Sequence, residues 1–341
     1  MVSNVVHCVL KRVTDVSKTI VCVGSSLTPD YCYLVPIVAH AWRDVVGFEP
    51  RIFLIGSREE WMSKKYSASV VSELQGSRVD HRFVARPLYG GWQDSTLAQN
   101  VRQHAACDTT IPADTWLMMT DVDLLPLRRE FYHLHDESPH KAVLLYSNGD
   151  HFQGRDETLR RAALGEDYQS IPTCHVIMRA KTWREVYKYA KLGDVSASMS
   201  ATLDAWLKPK ITAGADPGWC SWMSDQRIVT EYLCAQPWFP NDTSMVDKNQ
   251  NAIHPIGEVL FVTRRGHAPE DRLDRGYTDE WKIRPYPIGR WTDAHLHKTP
   301  YSDEHWADLI PLLQAHVPQH VEWMQRYRDK FVAGLVADGL S

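Results

Sequence analysis

The chain has 341 residues, 44% of them apolar and 23% charged, with 18 Gly and 19 Pro; such a composition argues against a disordered, collagen-like or fibrous chain. Thirty-eight Lys plus Arg against 42 Asp plus Glu leave a net charge of −4 without a long block of one sign, which argues against a nucleic-acid-wrapping or polybasic membrane-binding protein. The length suits one large α/β domain with an extension, or two modest ones.

The first strand is predicted at residues 19–24 (TIVCVG), a β-branched run ending in Gly24-Ser25-Ser26. Helical apolar spacing follows over 30–46, a strand at 51–55, a helix at 59–74, a strand at 81–85 and a helix at 94–106 with Asp94 or Ser95 as N-cap. The run Thr115–Thr120 is too short and apolar for anything but a buried central strand, and it stops at Asp121-Val122-Asp123. Further strands are predicted at 142–146, 174–178 and 259–263, and a helix at 225–233 capped by Ser224. Residues 204–222 and 264–301 read as loops, and 303–313 and 319–335 as terminal helices. Alternating β and α units predict a mainly parallel, helix-covered sheet.

Thirteen tryptophans are present, four before residue 170 and nine from Trp183 onward. Core packing competes with a sugar-stacking surface as the reason for that skew. The seven cysteines are scattered and contain no CxxC pair, as expected of free thiols in a reducing compartment. No apolar run reaches the roughly 20 residues that span a bilayer, and the N-terminal charges follow the apolar residues instead of preceding them, so a cytoplasmic protein without a membrane span is expected.

Two carboxylates one residue apart, at the end of a buried strand, stand where open α/β sheets place ligands. At strand spacing both side chains face the same way, so Asp121 and Asp123 can share one hard cation, Mg²⁺ or Mn²⁺. The competing reading makes them caps of the strand and of the following turn.

The segment LMMTDVDLLPL resembles the DxD element of GT-A-fold, nucleotide-sugar-dependent glycosyltransferases, and WMSDQRIVTEYL is similar to a DQ element of that family. Order and spacing follow the family over residues 19–235. The resemblance implies a GT-A-like α/β fold, with a catalytic domain over 1–265 (donor half about 19–125, acceptor half about 126–265) and a C-terminal loop and helices over 266–341 packing on the same domain. It implies a UDP-sugar or related donor, a carbohydrate or glycan acceptor, Mn²⁺ or Mg²⁺ as cofactor, and a lean to retention from the Asp-Gln pair. By the same resemblance Gly24, Ser25, Ser26, Arg102 and Arg265 bind donor, Asp121, Asp123 and His267 hold the metal with His254 behind His267, and Asp225 and Gln226 are catalytic. Sugar C–H faces stack on aromatic rings, so Trp219 and Trp222, which flank the DQ pair, are expected to border the acceptor. Glu166-Asp167 is a rival acid pair. Two other functions compete: a HAD-type phosphohydrolase with Asp121 as nucleophile, against which Leu125 stands where that pattern wants Thr or Val, and a sugar- or nucleotide-binding module without turnover.

Overall fold

The computed structural model describes residues 18–87, 92–146, 154–212, 223–241, 253–262, 272–273 and 291–340. Strand β1 (Thr19–Ser25) is buried on both faces, with Ile20 and Cys22 in one apolar cluster and Val21 and Val23 in the other. A strand covered by helices on both sides needs apolar residues at every position, which is why its sequence is a continuous run and not an alternation. β2 (Glu49–Ile55), β3 (Asp80–Val84) and β4 (Trp116–Thr120) pair parallel with it or with each other. With β6 (Val143–Leu145), β7 (His175–Arg179), β8 (Ile253–Ile256) and β9 (Val259–Val262) they form one sheet in the order β3-β2-β1-β4-β7-β6-β9-β8. Only β7 and β8 run against the other six, so the sheet is mainly parallel, as the sequence predicts.

The chain builds outward from β1 through β2 to β3, then returns to the other side of β1 to lay down β4. Strand order therefore reverses between β1 and β4, and a crevice opens beyond their carboxyl ends. Those ends are Ser25 and Thr120, so the Gly-Ser-Ser turn and the DxD face each other across the reversal. A small second sheet closes this end: β5 (Leu124–Pro126) pairs antiparallel with β11 (Asp293–His295), which pairs parallel with β10 (Arg272–Leu273).

Two predicted helices are broken. The first runs as Pro29–Cys32, Leu34–Ala41 and a π turn Trp42–Val46 that ends at Gly47 with φ 88°. The second splits at Lys64, whose backbone is extended, after a Ser57/Glu60 capping box starts Arg58–Ser63 and before Lys65–Gly76. The predicted helix at 94–106 is continuous but changes type, winding as an α-helix over Asp94–Val101 and tightening to 3₁₀ over Arg102–Cys107. Residues 204–212 are not loop: a helix covers Val195–Thr212 with Pro209 in its last turn. Burial of Met199, Leu203 and Trp206 on one side sustains it, and a proline near a helix end removes only one ladder bond. Helix Arg155–Leu164 and two four-residue helices, Arg129–Tyr132 and Leu134–Glu137, were not predicted; Ala180–Tyr187 follows β7. Ser224–Cys234, Asp303–His316 and Val321–Ala337 stand close to their predicted places.

The tryptophans described serve the core. Trp183, Trp206, Trp291 and Trp306, all from the Trp-rich part, are at most 6% exposed. Each such side chain removed from water stabilises the fold by about 1.5–3 kcal/mol. No described Trp lines the crevice, so the stacking surface expected from the skew finds no support among the described residues.

Candidate functional site

Ser25 and Ser26 are 1% exposed, at the end of β1. Gly24 before them has a packing reason: a Cβ there would stand 2.0 Å from the Ala98 carbonyl oxygen, so helix Asp94–Val101 can lie this close to β1 only over a glycine. That close approach brings the helix's last turn, and Arg102 after it, over the carboxyl end of the sheet.

The acidic pair is not on a strand. Asp121-Val122-Asp123 forms the turn between β4 and β5, so both carboxylates reach the crevice through turn geometry and not through strand alternation. Asp121 is partly open, with its side chain 37% exposed, and Asp123 is 11% exposed. Together with Gly24, Ser25, Ser26, Arg102, Asp225 and Gln226 they line one cleft of about 230 Å³. Eight of the thirteen residues given site roles in the sequence thus meet in one place. Arg265, His267, Trp219 and Trp222 lie outside the described residues, as does the side chain of His254.

Arg102 is the hub. Its guanidinium is almost fully buried, donates to Asp121 Oδ1 through Nη1, and donates to Asp225 Oδ2 through Nη2 at 2.7 Å. Its Nε donates to the Gln99 carbonyl at 2.9 Å. Burial alone would favour a neutral side chain, but the Asp121 and Asp225 carboxylates outweigh it and hold the charge on Arg102. Asp225 also accepts from Thr173 Oγ1 at 2.8 Å, and its carbonyl accepts from Gln103 Nε2 at 2.8 Å. Burial pushes the Asp225 carboxyl above the usual range, with Arg102 pulling the other way. Arg102 and Thr173 both donate to Oδ2, which marks a carboxylate held in one orientation and not a freely rotating base. Ser224 does not cap the helix; its hydroxyl accepts from Asn100 Nδ2 at 2.7 Å and ties the helix to Asp94–Val101. Glu166 and Asp167, the rival acids, pair with Arg160 and Arg227 at the surface and do not line the cleft.

Of the cleft residues given no site role in the sequence, among them Tyr31, Ser95 and Gln99, His295 bears most directly on the acidic pair. His295, on β11, places Nε2 3.2 Å from Asp123 Oδ2. β11 reaches the acidic turn by strand pairing, Asp293 opposite Pro126 and His295 opposite Leu124, and by Leu296 N–H donating to the Asp123 carbonyl at 2.8 Å. Beneath it, the fully buried Asp293 accepts from Tyr132 at 3.0 Å and lies 3.0 Å from His175 Nε2. Asp293-Ala294-His295-Leu296 alternates polar and apolar, a strand signal hidden in a segment rich in Arg, His and Pro.

Among the described residues lining the cleft, the two carboxylates of the acidic turn and the His295 imidazole make a donor set for a divalent ion such as Mn²⁺ or Mg²⁺.

No family model matches this chain, and no curated protein matches it. Solved glycosyltransferases are similar in fold. The galactosyltransferase LgtC, in complex with donor and acceptor sugar analogs, is 11% identical, with 91% of this chain and 95% of that chain covered at a TM-score of 0.44. Mouse xyloside xylosyltransferase 1 is 10% identical, with 82% and 97% covered at 0.36. The glycosyltransferase GlyE of Streptococcus pneumoniae TIGR4 is 11% identical, with 95% and 64% covered at 0.37. At that distance the weight of a functional reading falls on the cleft itself.

Proposed function

We propose that this chain is a metal-dependent glycosyltransferase that moves a sugar from a nucleotide sugar, a UDP-sugar in the first instance, to a carbohydrate or glycan acceptor. The observation that carries the reading is Arg102 joining Asp121 of the acidic turn to Asp225 of the DQ pair inside one cleft at the sheet's topological switch point. Departure of a nucleoside diphosphate leaves negative charge on phosphate and positive charge at the anomeric carbon, and a single site must meet both. Asp121, Asp123 and His295 would hold the divalent ion, which when bound acts as a Lewis acid on the diphosphate. Ser25 and Ser26 face the same cleft from β1 and suit the nucleoside side. Asp225, fixed by Arg102 and Thr173, presents a buried carboxylate to the sugar, and Gln226 beside it, accepting from Ser170 at 3.3 Å, orients donor or acceptor. The Asp-Gln order favours retention of configuration.

Against the phosphohydrolase reading, Asp121 Oδ1 is engaged by a buried guanidinium, which leaves only Oδ2 to attack phosphorus, and Leu125 stands where that pattern wants Thr or Val.

Thermal unfolding with UDP, GDP or dTDP, each with and without Mn²⁺, is the test. Metal-dependent stabilisation by one of them is expected, about 2.7 kcal/mol at a hundredfold excess over Kd, followed by release of that nucleotide from its sugar conjugate. Phosphatase activity lost in Asp121→Asn, with no nucleotide effect, would overturn the proposal in favour of a hydrolase.

A further inference from the structure

Outside the lining of the cleft, three potential ligand atoms converge where the first helical layer meets the C-terminal helix. His40 is the penultimate residue of helix Leu34–Ala41, and Asp44 follows one turn later in the π turn Trp42–Val46. His320 ends the 3₁₀ turn Pro318–His320, which leads into helix Val321–Ala337. Asp44 Oδ2 lies 3.4 Å from His40 Nδ1 and 2.7 Å from His320 Nε2, and all three ligand atoms are within 4.8 Å of one another. A first-row ion with bonds of about 2.0–2.1 Å needs its ligand atoms roughly 3.4 Å apart in a tetrahedral shell. The observed spacings bracket that value.

One further feature bears on a ligand here: single π turns inside α-helices concentrate at functional sites, and the turn Trp42–Val46 carries Asp44 round to face both imidazoles.

Arg43 already brings a positive charge to the same atoms. Its Nη2 lies 2.9 Å from His40 Nδ1, its Nε 3.3 Å from Asp44 Oδ1, and its Nη1 donates to the Ser77 carbonyl at 2.9 Å. A guanidinium and a metal ion cannot both use the Nδ1 lone pair. Arg43 is 31% exposed, on the solvent side, and can rotate away, so cation binding here is an exchange.

We propose that His40, Asp44 and His320 form a transition-metal site of the Zn²⁺ class, separate from the cleft, that fastens the C-terminal helix to the first helical layer and competes with Arg43. Two imidazoles and one carboxylate favour such ions over Mg²⁺ or Ca²⁺. The proposal does not depend on the glycosyltransferase reading.

The test uses the full chain carrying Asp121→Asn and Asp123→Asn, which removes both carboxylates of the acidic turn and with them the proposed cleft metal site, so that its outcome is independent of the nucleotide experiment. Zn²⁺ in hundredfold excess over Kd should raise the unfolding temperature by about 3–6 °C, and Co²⁺ should give visible absorption typical of tetrahedral nitrogen and oxygen ligation. His320→Ala, or His320→Gln if the first does not fold, should lose both signals, whereas Arg43→Gln should bind Zn²⁺ several-fold tighter. Equal Zn²⁺ and Co²⁺ responses with and without His320, or no response in either the parent or Arg43→Gln, would overturn the site.

Discussion

Arg102 carries more of the proposed site than any other side chain, because its one guanidinium orients a carboxylate from the acidic turn and one from the DQ helix. Removing it leaves Asp225 buried beside Asp121 with no counter-charge. Arg102→Met should therefore lower stability by about 3–5 kcal/mol and transferase activity by at least about a hundredfold, roughly the weight of a preorganised electrostatic group. Arg102→Lys keeps the charge without the fork and should retain stability better than activity; chemical denaturation alongside donor turnover separates the two. His104 sets a second expectation. It is fully buried, with Nδ1 3.0 Å from the Asn100 carbonyl and Nε2 3.0 Å from Thr202, and burial lowers its pKa to about 4. The folded protein thus binds fewer protons there than the unfolded chain. Stability is intact above the unfolded pKa near 6.5 and falls as pH drops from about 6.5 to 4, by about 3 kcal/mol from this residue. Urea unfolding across that range checks it; a flat profile counts against a neutral buried His104. Residues of this kind were only half readable in advance. The run before Asp121 announces a strand end, but nothing near Arg102 in sequence reveals that it bridges to a carboxylate 123 positions away.

Among the elements, β11 makes the clearest case for structure brought in from a distance. Three residues of pairing with β5 carry His295 to Asp123 across 172 positions. Asp293 anchors that strand from below through Tyr132 and His175, all three fully buried. Asp293→Asn keeps the shape but weakens these bonds, so β11 should sit less firmly and the apparent Mn²⁺ affinity of the cleft should fall about 10–100-fold, the size seen when groups that orient metal ligands are altered. Mn²⁺ titration of activity, with circular dichroism to verify the fold, reads this out; unchanged Mn²⁺ dependence would separate Asp293 from the site. The buried parallel strands were legible because a strand covered on both faces must be apolar throughout. Short strands at an irregular edge, and helices that break at Lys64 or pass through Pro209, were not, since pairing and packing overrule local preference there.

At the level of the whole molecule, the C-terminal helix belongs to the same core as the first strands. Tyr327 stacks on Tyr33 at 5.2 Å, Phe331 meets Tyr33 at 4.9 Å, and Asp338 accepts from the Tyr66 N–H at 3.2 Å. Gly334 permits this approach, since a Cβ there would lie 2.6 Å from the Tyr66 nitrogen. Gly334→Ala should push the two helices apart and lower stability by about 1–3 kcal/mol, seen as an earlier unfolding midpoint at unchanged denaturant slope; an unaltered midpoint would mean that the contact has room to relax. By itself, the sequence determined the alternation of strands and helices, the position of the acidic pair behind a buried strand and the glycine-serine turn after β1, because each is a pattern of burial or chain reversal within a few residues. Tertiary structure alone decided that Arg102 joins Asp121 to Asp225, that β11 supplies His295, and that the late tryptophans described pack into the core. Those outcomes depend on which distant segments pair once the sheet has closed, and no local period encodes that choice.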